Sequence, residues 1–165
     1  MTAQGAAGVA IVGLGNPLMG DDGVGVAVVR MLQGQALPEG TDLYDAGTAL
    51  LDVLPAAGSR AKMVIVDSCR AGGRPGTVYR TTLHPDEWET TPPCHSLHDL
   101  DAVHALRLHR LAGGRLGEVV LIGVEPAEVL PRNGLSPALR RRLPLIVRAV
   151  RQELQAPATR PGGTQ

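Results

Sequence analysis

The sequence predicts a single α/β domain in which a mostly parallel sheet of about five strands lies between layers of helices. Short apolar runs that suit buried strands alternate along the chain with segments whose apolar residues recur every three or four positions. This alternation is typical of parallel sheets that are covered by helices on both faces. The 165 residues, of which 44% are hydrophobic, are enough for one domain with one core.

The first strand, turn and helix occupy residues 8–32, with the sequence GVAIVGLGNPLMGDDGVGVAVVRML. Residues 9–12 form a continuous apolar run that ends at Gly13, as expected for a central strand. From Val24 onward the apolar residues follow a helical spacing, and Gly34 ends the predicted helix. The turn between them contains two adjacent acids, Asp21 and Asp22, and open α/β sheets bind their ligands at such turns.

The two acids argue against a nucleotide-binding site in this turn. A dinucleotide fingerprint would need glycine in place of Leu18, and a phosphate-binding loop would need Gly-Lys where this chain has Gly-Asp-Asp. Two carboxylates would also repel a phosphate. Aspartates at the start of a helix often cap it, and we expect Asp21 to do so while Asp22 faces the crevice.

The remaining elements follow from the same patterns. Strands are predicted at residues 41–45, 61–66, 77–83 and 118–124, and the alternating polarity of residues 77–83 indicates an edge strand. Helices are predicted at residues 48–54, from about 97 to 111, and from Pro137 to about 154 with Ser136 as the N-cap. Pro55 should end the first of these helices, and Pro144 should kink or break the last one. Residues 84–93, which include three prolines and the only tryptophan, indicate a surface loop.

Composition limits the classes of partner. Lysine plus arginine equals aspartate plus glutamate, at 16 each, so net charge gives no case for nucleic acid or an anionic membrane as a partner. No apolar run approaches the roughly 20 residues of a membrane span, and we expect a cytoplasmic protein. Cys69 and Cys94 indicate neither a disulfide framework nor a zinc site, and we interpret them as buried thiols. We expect a domain at residues 1–155 and a disordered tail at residues 156–165.

Acidic residues follow three of the predicted strands. Asp22, Asp45 and Asp67 should therefore lie along one edge of the sheet, near His95 or His98, which precede the third helix. Two carboxylates and one imidazole suit a borderline divalent ion such as nickel or zinc. Each residue alone is weak evidence, because an aspartate at a strand end is often a turn residue and a histidine in a loop is often only solvated.

Several motifs together resemble one family. GLGNPLMGDDGVG resembles the signature of the hydrogenase maturation endopeptidases, which remove a C-terminal extension from the precursor of the nickel-iron hydrogenase large subunit. The segments YDAGTALLDVLP, VIVDSCRAG, SLHDLDAVHALRL, LIGVEP and GLSP resemble further motifs of that family in the same order. The resemblance extends from about residue 9 to residue 154, with Ala46 at a position where the family often has glycine.

This resemblance implies both an activity and a set of residues. Asp22, Asp67 and His98 match the metal-contacting and catalytic positions of the family, and Ser96 favours His98 over the alternative ligand His95. The implied activity is a nickel-dependent endopeptidase, expected to be monomeric, that acts on the hydrogenase large-subunit precursor. The nickel is expected to arrive with that precursor, where it would polarise the scissile carbonyl or lower the pKa of an attacking water.

A different class of function stays open at this point. A protein of the same fold that had lost cleavage would bind nickel or the precursor without shortening it, as an assembly factor. The acids themselves do not distinguish the two functions, since both need Asp22, Asp67 and His98 to meet in one crevice at the carboxyl edge of the sheet. We expect that crevice to be lined by solvent.

Overall fold

The computed structural model describes residues 8–83 and 99–156, apart from the side chains of residues 99–101. The elements in chain order are β1 (Val9–Leu14), a 3-10 helix (Gly20–Gly23), α1 (Val24–Gln33), β2 (Thr41–Gly47), α2 (Leu50–Ala57), β3 (Lys62–Ser68), β4 (Val78–Leu83), α3 (Asp99–Leu111), β5 (Glu118–Val124) and α4 (Pro137–Gln155). Among the described residues, no helix has both the length and the apolar character that crossing a membrane requires. The predicted loop at residues 84–93 and nearly all of the predicted tail lie outside the described residues.

One five-stranded sheet organises the chain, in the strand order β2-β1-β3-β5-β4. Strands β2, β1, β3 and β5 run parallel to one another, and β4 pairs antiparallel with β5 at one edge. The predicted fold class, a single α/β domain with a mostly parallel sheet of five strands, is confirmed. The edge position of β4 agrees with its alternating polarity.

Apolar residues of the strands alternate between two cores, one on each face of the sheet. In β1, Ala10 and Val12 pack into the core under α2 and α3, whereas Ile11 between them packs into the core under α1 and α4. All three side chains are fully buried. Because successive residues of a strand point to opposite faces, one uninterrupted apolar run supplies both cores. The helical layers on both faces leave the carboxyl edge of the sheet for the site.

The predicted end of α2 at Pro55 is wrong, and α4 has no break at Pro144. Helix α2 continues through Pro55 to Ala57, and α4 continues through Pro144 to Gln155. Each proline removes a backbone hydrogen bond, but in each helix the buried apolar face continues past it. In α4 that face includes Leu139 on one side of Pro144 and Ile146 on the other, both fully buried. Packing against the sheet therefore outweighs the local cost of the proline.

Close packing of α1 on the sheet depends on glycine. A Cβ atom added to Gly25 would lie 2.1 Å from the carbonyl oxygen of Val66 and 2.5 Å from that of Leu14. A Cβ atom added to Gly13 would lie 2.3 Å from the carbonyl oxygen of Gly25. Real Cβ atoms do not approach backbone oxygens so closely, so any side chain here would push α1 away from β1 and β3. Gly13 and Gly25 thus allow the start of α1 to lie directly against the strand ends.

A buried ion network holds the C-terminal part of α4 at the amino end of β3. The Nζ of Lys62 donates to the Oε2 and the backbone carbonyl of Glu153, at 2.6 and 3.1 Å. The Nε of Arg80 on β4 donates to the Oε1 of Glu153 at 2.5 Å. Burial alone would raise the pKa of Glu153, but the hydrogen bonds from Arg80 and Lys62 hold that pKa below its ordinary value.

We predict that Glu153→Gln lowers the free energy of unfolding by about 3–5 kcal/mol. Lys62 is only 1% exposed, so the substitution leaves its ammonium group buried without a counter-charge. Urea denaturation measures this change. The matched control is Glu128→Gln, which removes a half-exposed ion pair with Arg132 and should change the free energy of unfolding by less than about 1 kcal/mol.

The stability difference between the wild type and Glu153→Gln should depend on pH, because the pKa of Glu153 is lowered in the folded protein. A carboxyl group whose pKa is lower in the folded state stabilises the protein above its unfolded-state value, about 4.3, and loses that contribution as the pH falls through the folded-state pKa. The stability difference between the wild type and Glu153→Gln should therefore shrink on acidification from pH 7. A difference that stays constant would show that the ionised carboxylate is not the stabilising species.

Candidate active site

Asp22 lies in the 3-10 helix that connects β1 to α1, with a side chain that is nearly buried at 6% exposure. Its Oδ2 accepts a hydrogen bond of 2.8 Å from the backbone N–H of Asn16. Its Oδ1 accepts one of 3.3 Å from the hydroxyl of Ser68, at the end of β3. The carboxylate of Asp22 therefore points across the turn toward the end of the neighbouring strand.

Asp67 meets Asp22 through the same serine. It is the next-to-last residue of β3 and is also 6% exposed, and its Oδ1 accepts a hydrogen bond of 2.8 Å from the backbone N–H of Ser68. Ser68 thus donates to both carboxylates, from its hydroxyl to Asp22 and from its backbone N–H to Asp67. Both acids are nearly buried, whereas a solvent-lined crevice was expected. Ser68 was not predicted, because its only signal in the sequence is its place directly after Asp67.

Asp21 does not cap the helix that follows it, and that expectation is wrong. The N-cap of α1 is Gly23, which makes no side-chain capping bond. Asp21 is fully buried, and its carboxylate accepts four hydrogen bonds from distant parts of the chain. The donors are the backbone N–H groups of Ala127, Glu128 and Ser136, at 2.9, 3.0 and 2.7 Å, and the hydroxyl of Ser136 at 2.8 Å.

Backbone hydrogen bonds reinforce this connection. The N–H groups of Gly20 and Asp21 donate to the carbonyl oxygens of Arg132 and Glu128, both at 3.0 Å. Ser136, as predicted, is the N-cap of α4, where its hydroxyl accepts from Leu139 at 3.3 Å. The side chain of Asp21 therefore joins the 3-10 helix, the loop after β5 and the first turn of α4. Because Asp22 is the next residue, these bonds also determine where its carboxylate lies.

Glu125, at the end of β5, holds the loop that follows Asp67. Its Oε2 accepts hydrogen bonds from the N–H groups of Ala71 and Gly73, at 2.8 and 3.2 Å, and from the hydroxyl of Tyr79 at 2.9 Å. Burial alone would raise the pKa of Glu125, but these donors hold it below its ordinary value. The pKa of Tyr79 is raised by burial and by its hydrogen bond to Glu125. An ionised Glu125 is thus part of the support for the strand end that carries Asp67.

Asp45 does not join the other acids. Its side chain is on the surface, where its Oδ2 pairs with the Nη2 of Arg30 on α1 at 3.3 Å. In the adjoining turn, the residue with a positive φ is Gly47, at 53°. Ala46 therefore needs no glycine-like conformation, and it packs into the core. Among the residues that the structure describes, Asp45 pairs with Arg30, and no contact there supports its expected role in the crevice.

The expected third ligand, His98, lies outside the described residues, as do its alternative His95, the neighbouring Ser96 and Cys94. Within residues 8–83 and 99–156, no group of three or more histidines, cysteines, aspartates or glutamates is placed to hold a metal ion. The set of Asp22, Asp67 and His98 thus stays a prediction.

Cys69 is buried and disulfide-bonded, so its interpretation as a free thiol is wrong.

Comparisons with known proteins give one consistent result. The family profile described as HycI, hydrogenase maturation protease, matches residues 26–153. The chain is 30% identical over 152 residues to the hydrogenase expression/formation protein HupD of Rhodobacter capsulatus, covering 90% of this chain and 71% of that protein. It is 30% identical over 133 residues to the hydrogenase 2 maturation protease of Escherichia coli, covering 78% and 79% of the two chains.

Solved structures show the same similarity. The hydrogenase maturating endopeptidase HYBD from E. coli is 25% identical, with a TM-score of 0.76 and coverage of 90% of this chain and 92% of that one. The hydrogenase 2 maturation peptidase from a Thaumarchaeota archaeon is 30% identical, with a TM-score of 0.68 and coverage of 89% and 97%.

We predict that Asp21→Asn lowers the free energy of unfolding by about 3 kcal/mol, because four donors lose a charged acceptor and the new amide brings a donor among them. Urea denaturation measures the loss. Asp45→Asn is the control, since it removes a carboxylate of the same size from an exposed ion pair and should cost less than about 1 kcal/mol. Equal stabilities for the two variants would contradict the structural role assigned to Asp21.

Proposed function

Because the chain belongs to the hydrogenase maturation protease family, we propose that it is the endopeptidase that removes the C-terminal extension of a nickel-loaded hydrogenase large-subunit precursor. The family membership itself makes the chain a hydrolase with a processing role in hydrogenase maturation. We assign the proposal to particular residues because Ser68, at the carboxyl edge of the sheet, donates hydrogen bonds to both Asp22 and Asp67.

The nickel belongs to the substrate in this proposal. Asp22, Asp67 and His98 would contact it, and carboxylate and imidazole groups suit such an ion. Both oxygens of Asp22 accept hydrogen bonds from the protein, which orient the carboxylate as outer-shell partners orient a metal ligand. An ion already bound by the precursor needs only additional contacts. When it is present, the nickel would polarise the scissile carbonyl or lower the pKa of an attacking water.

Other residues of the chain orient the carboxylates of Asp22 and Asp67. The amide of Asn16 and the hydroxyl of Ser68 orient Asp22, and the amide of Ser68 orients Asp67. The hydrogen bonds to Asp21 hold the 3-10 helix in place on the loop after β5. Carboxylates held in this way need little rearrangement when the precursor binds, which favours reaction over binding alone.

We predict that Asp67→Asn and His98→Ala each lower the rate of precursor cleavage by about 1,000-fold or more, which corresponds to about 4 kcal/mol of lost transition-state stabilisation. The mass of a co-expressed large-subunit precursor, with and without its extension, measures cleavage. Asp67→Asn is preferred to alanine because Asp67 is nearly buried, and the amide preserves the side-chain volume.

Asp45→Asn serves as the control for cleavage, because it changes an aspartate outside the site and should cleave the precursor at the wild-type rate. Thermal unfolding of each variant separates lost chemistry from lost structure. If Asp67→Asn and His98→Ala stay folded and still cleave normally, the catalytic assignment is wrong. If the wild type binds the precursor without shortening it, the chain is an assembly factor instead.

We further predict that nickel-loaded precursor is cleaved and that nickel-free precursor is left intact, because the ion is the group that Asp22, Asp67 and His98 contact. The assay incubates both precursor forms with the purified enzyme and compares their masses. The purified enzyme itself should contain little metal. Equal cleavage of the two forms, or cleavage that depends only on metal preloaded into the enzyme, would make the chain an ordinary metalloprotease.

A further inference from the structure

A cavity of about 220 Å³ lies where the ends of β1 and β2 meet α2 and α3. Among the described residues its lining is apolar or small, with Thr48 as the one polar side chain. The lining residues are Leu14, Gly47, Thr48, Ala49, Leu50, Leu51, Ala102 and Ala105. Neither Asp22 nor Asp67 is among them, so the cavity is separate from the carboxylate pair.

Both walls of this cavity continue into segments that carry the predicted site residues. On one wall, Leu14 is followed by Gly15, whose N–H donates to the carbonyl of Gly47 at 2.8 Å, and then by Asn16, whose N–H holds Asp22. On the other wall, Ala102 belongs to α3, which begins at the residue directly after His98. Along both walls, the cavity therefore adjoins the chain segments that lead to Asp22 and to His98.

We propose that this cavity is the subsite that receives one apolar side chain from the precursor segment carrying the scissile bond. The inference rests on the proposed function and adds a feature of the substrate to it. In size the cavity suits leucine, methionine or phenylalanine, because an apolar cavity of ~150 Å³ already holds benzene. A charged side chain would find no partner among the described lining residues and would be strongly disfavoured.

The exposure of the lining supports a site that a partner fills. Leu50 and Ala102 at the floor are buried at 5% and 3% exposure, whereas Leu51 is left 46% exposed. Thr48 and Ala49 are also exposed. The floor is therefore already packed by the fold, and the apolar surface at Leu51 is left to solvent until an apolar group covers it.

Ala49→Leu tests the proposal by filling the cavity from its exposed side. Ala49 is exposed and already carries a Cβ atom, so leucine adds only atoms beyond Cβ, and these do not have to enter the core. We expect a 10- to 100-fold lower kcat/KM for nickel-loaded precursor, since excluding one apolar side chain from its pocket has an effect of about that size. The matched control is Ala56→Leu, an exposed position on the same helix outside the lining, with kcat/KM within about twofold of the wild type.

A second arm identifies the occupant by changing the precursor. Each apolar residue within about four positions of the cleaved bond is replaced in turn by alanine, and cleavage is measured with the wild type and with Ala49→Leu. One replacement should lower the wild-type kcat/KM by about 10-fold or more while causing little further loss in Ala49→Leu, because both changes remove the same contact. If Ala49→Leu does not fold, Thr48→Leu replaces it in both arms.

Three outcomes overturn the subsite. The first is a wild-type kcat/KM for Ala49→Leu while Asp67→Asn stays inactive, which leaves the proposed function intact. The second is that the loss of kcat/KM caused by Ala49→Leu adds fully to the loss caused by every precursor replacement. The third is a change in the fluorescence of Trp88, the only tryptophan, on making Ala49→Leu without precursor, which would mean that the chain's own segment occupies the cavity. A wild type that cuts no precursor at all is a different result, because it overturns the proposed function.

Discussion

The buried carboxylate of Asp21 is the interaction on which the geometry of the site depends. It accepts hydrogen bonds from the loop after β5 and from Ser136, the residue before α4, and so connects the turn after β1 to the segment between β5 and α4. A charged acceptor surrounded by backbone donors is stable only in one arrangement of those segments. Asp22 is the next residue, and its carboxylate faces Ser68 because Asp21 is held in this way. The two adjacent acids therefore have different roles. Asp21 stabilises the turn, and Asp22 is the candidate site residue.

The fold could be predicted from the sequence to the extent that it depends on local patterns. Apolar runs identified three of the four parallel strands, β1, β3 and β5, and alternation identified β4 as an edge strand, because strand burial leaves a period in the sequence. The expected end of α2 at Pro55 was wrong, and α4 does not break at Pro144, for a reason that lies outside the local sequence. The buried faces of α2 and α4 continue past the prolines, and that packing depends on the tertiary structure.

The site could be predicted only in part, for a similar reason. The position of Asp22 and Asp67 at strand ends was enough to bring them to one edge of the sheet. The role of Asp21 could not be predicted, because its hydrogen-bond donors are 106 to 115 residues away along the chain. Ser68 was missed because a serine after a strand-end aspartate has no signal of its own. Asp45 shares the strand-end pattern but pairs with Arg30, so the pattern alone does not define a ligand.

The central claim is that Asp22 and Asp67 contact a nickel ion that the precursor brings. Nickel X-ray absorption tests it most directly, on nickel-loaded precursor alone and after mixing with the enzyme and freezing before cleavage. The account predicts additional oxygen or nitrogen ligands around nickel in the complex with the wild type, and their loss in the complex with Asp22→Asn. An unchanged nickel spectrum in a complex that goes on to cleave the precursor would contradict it.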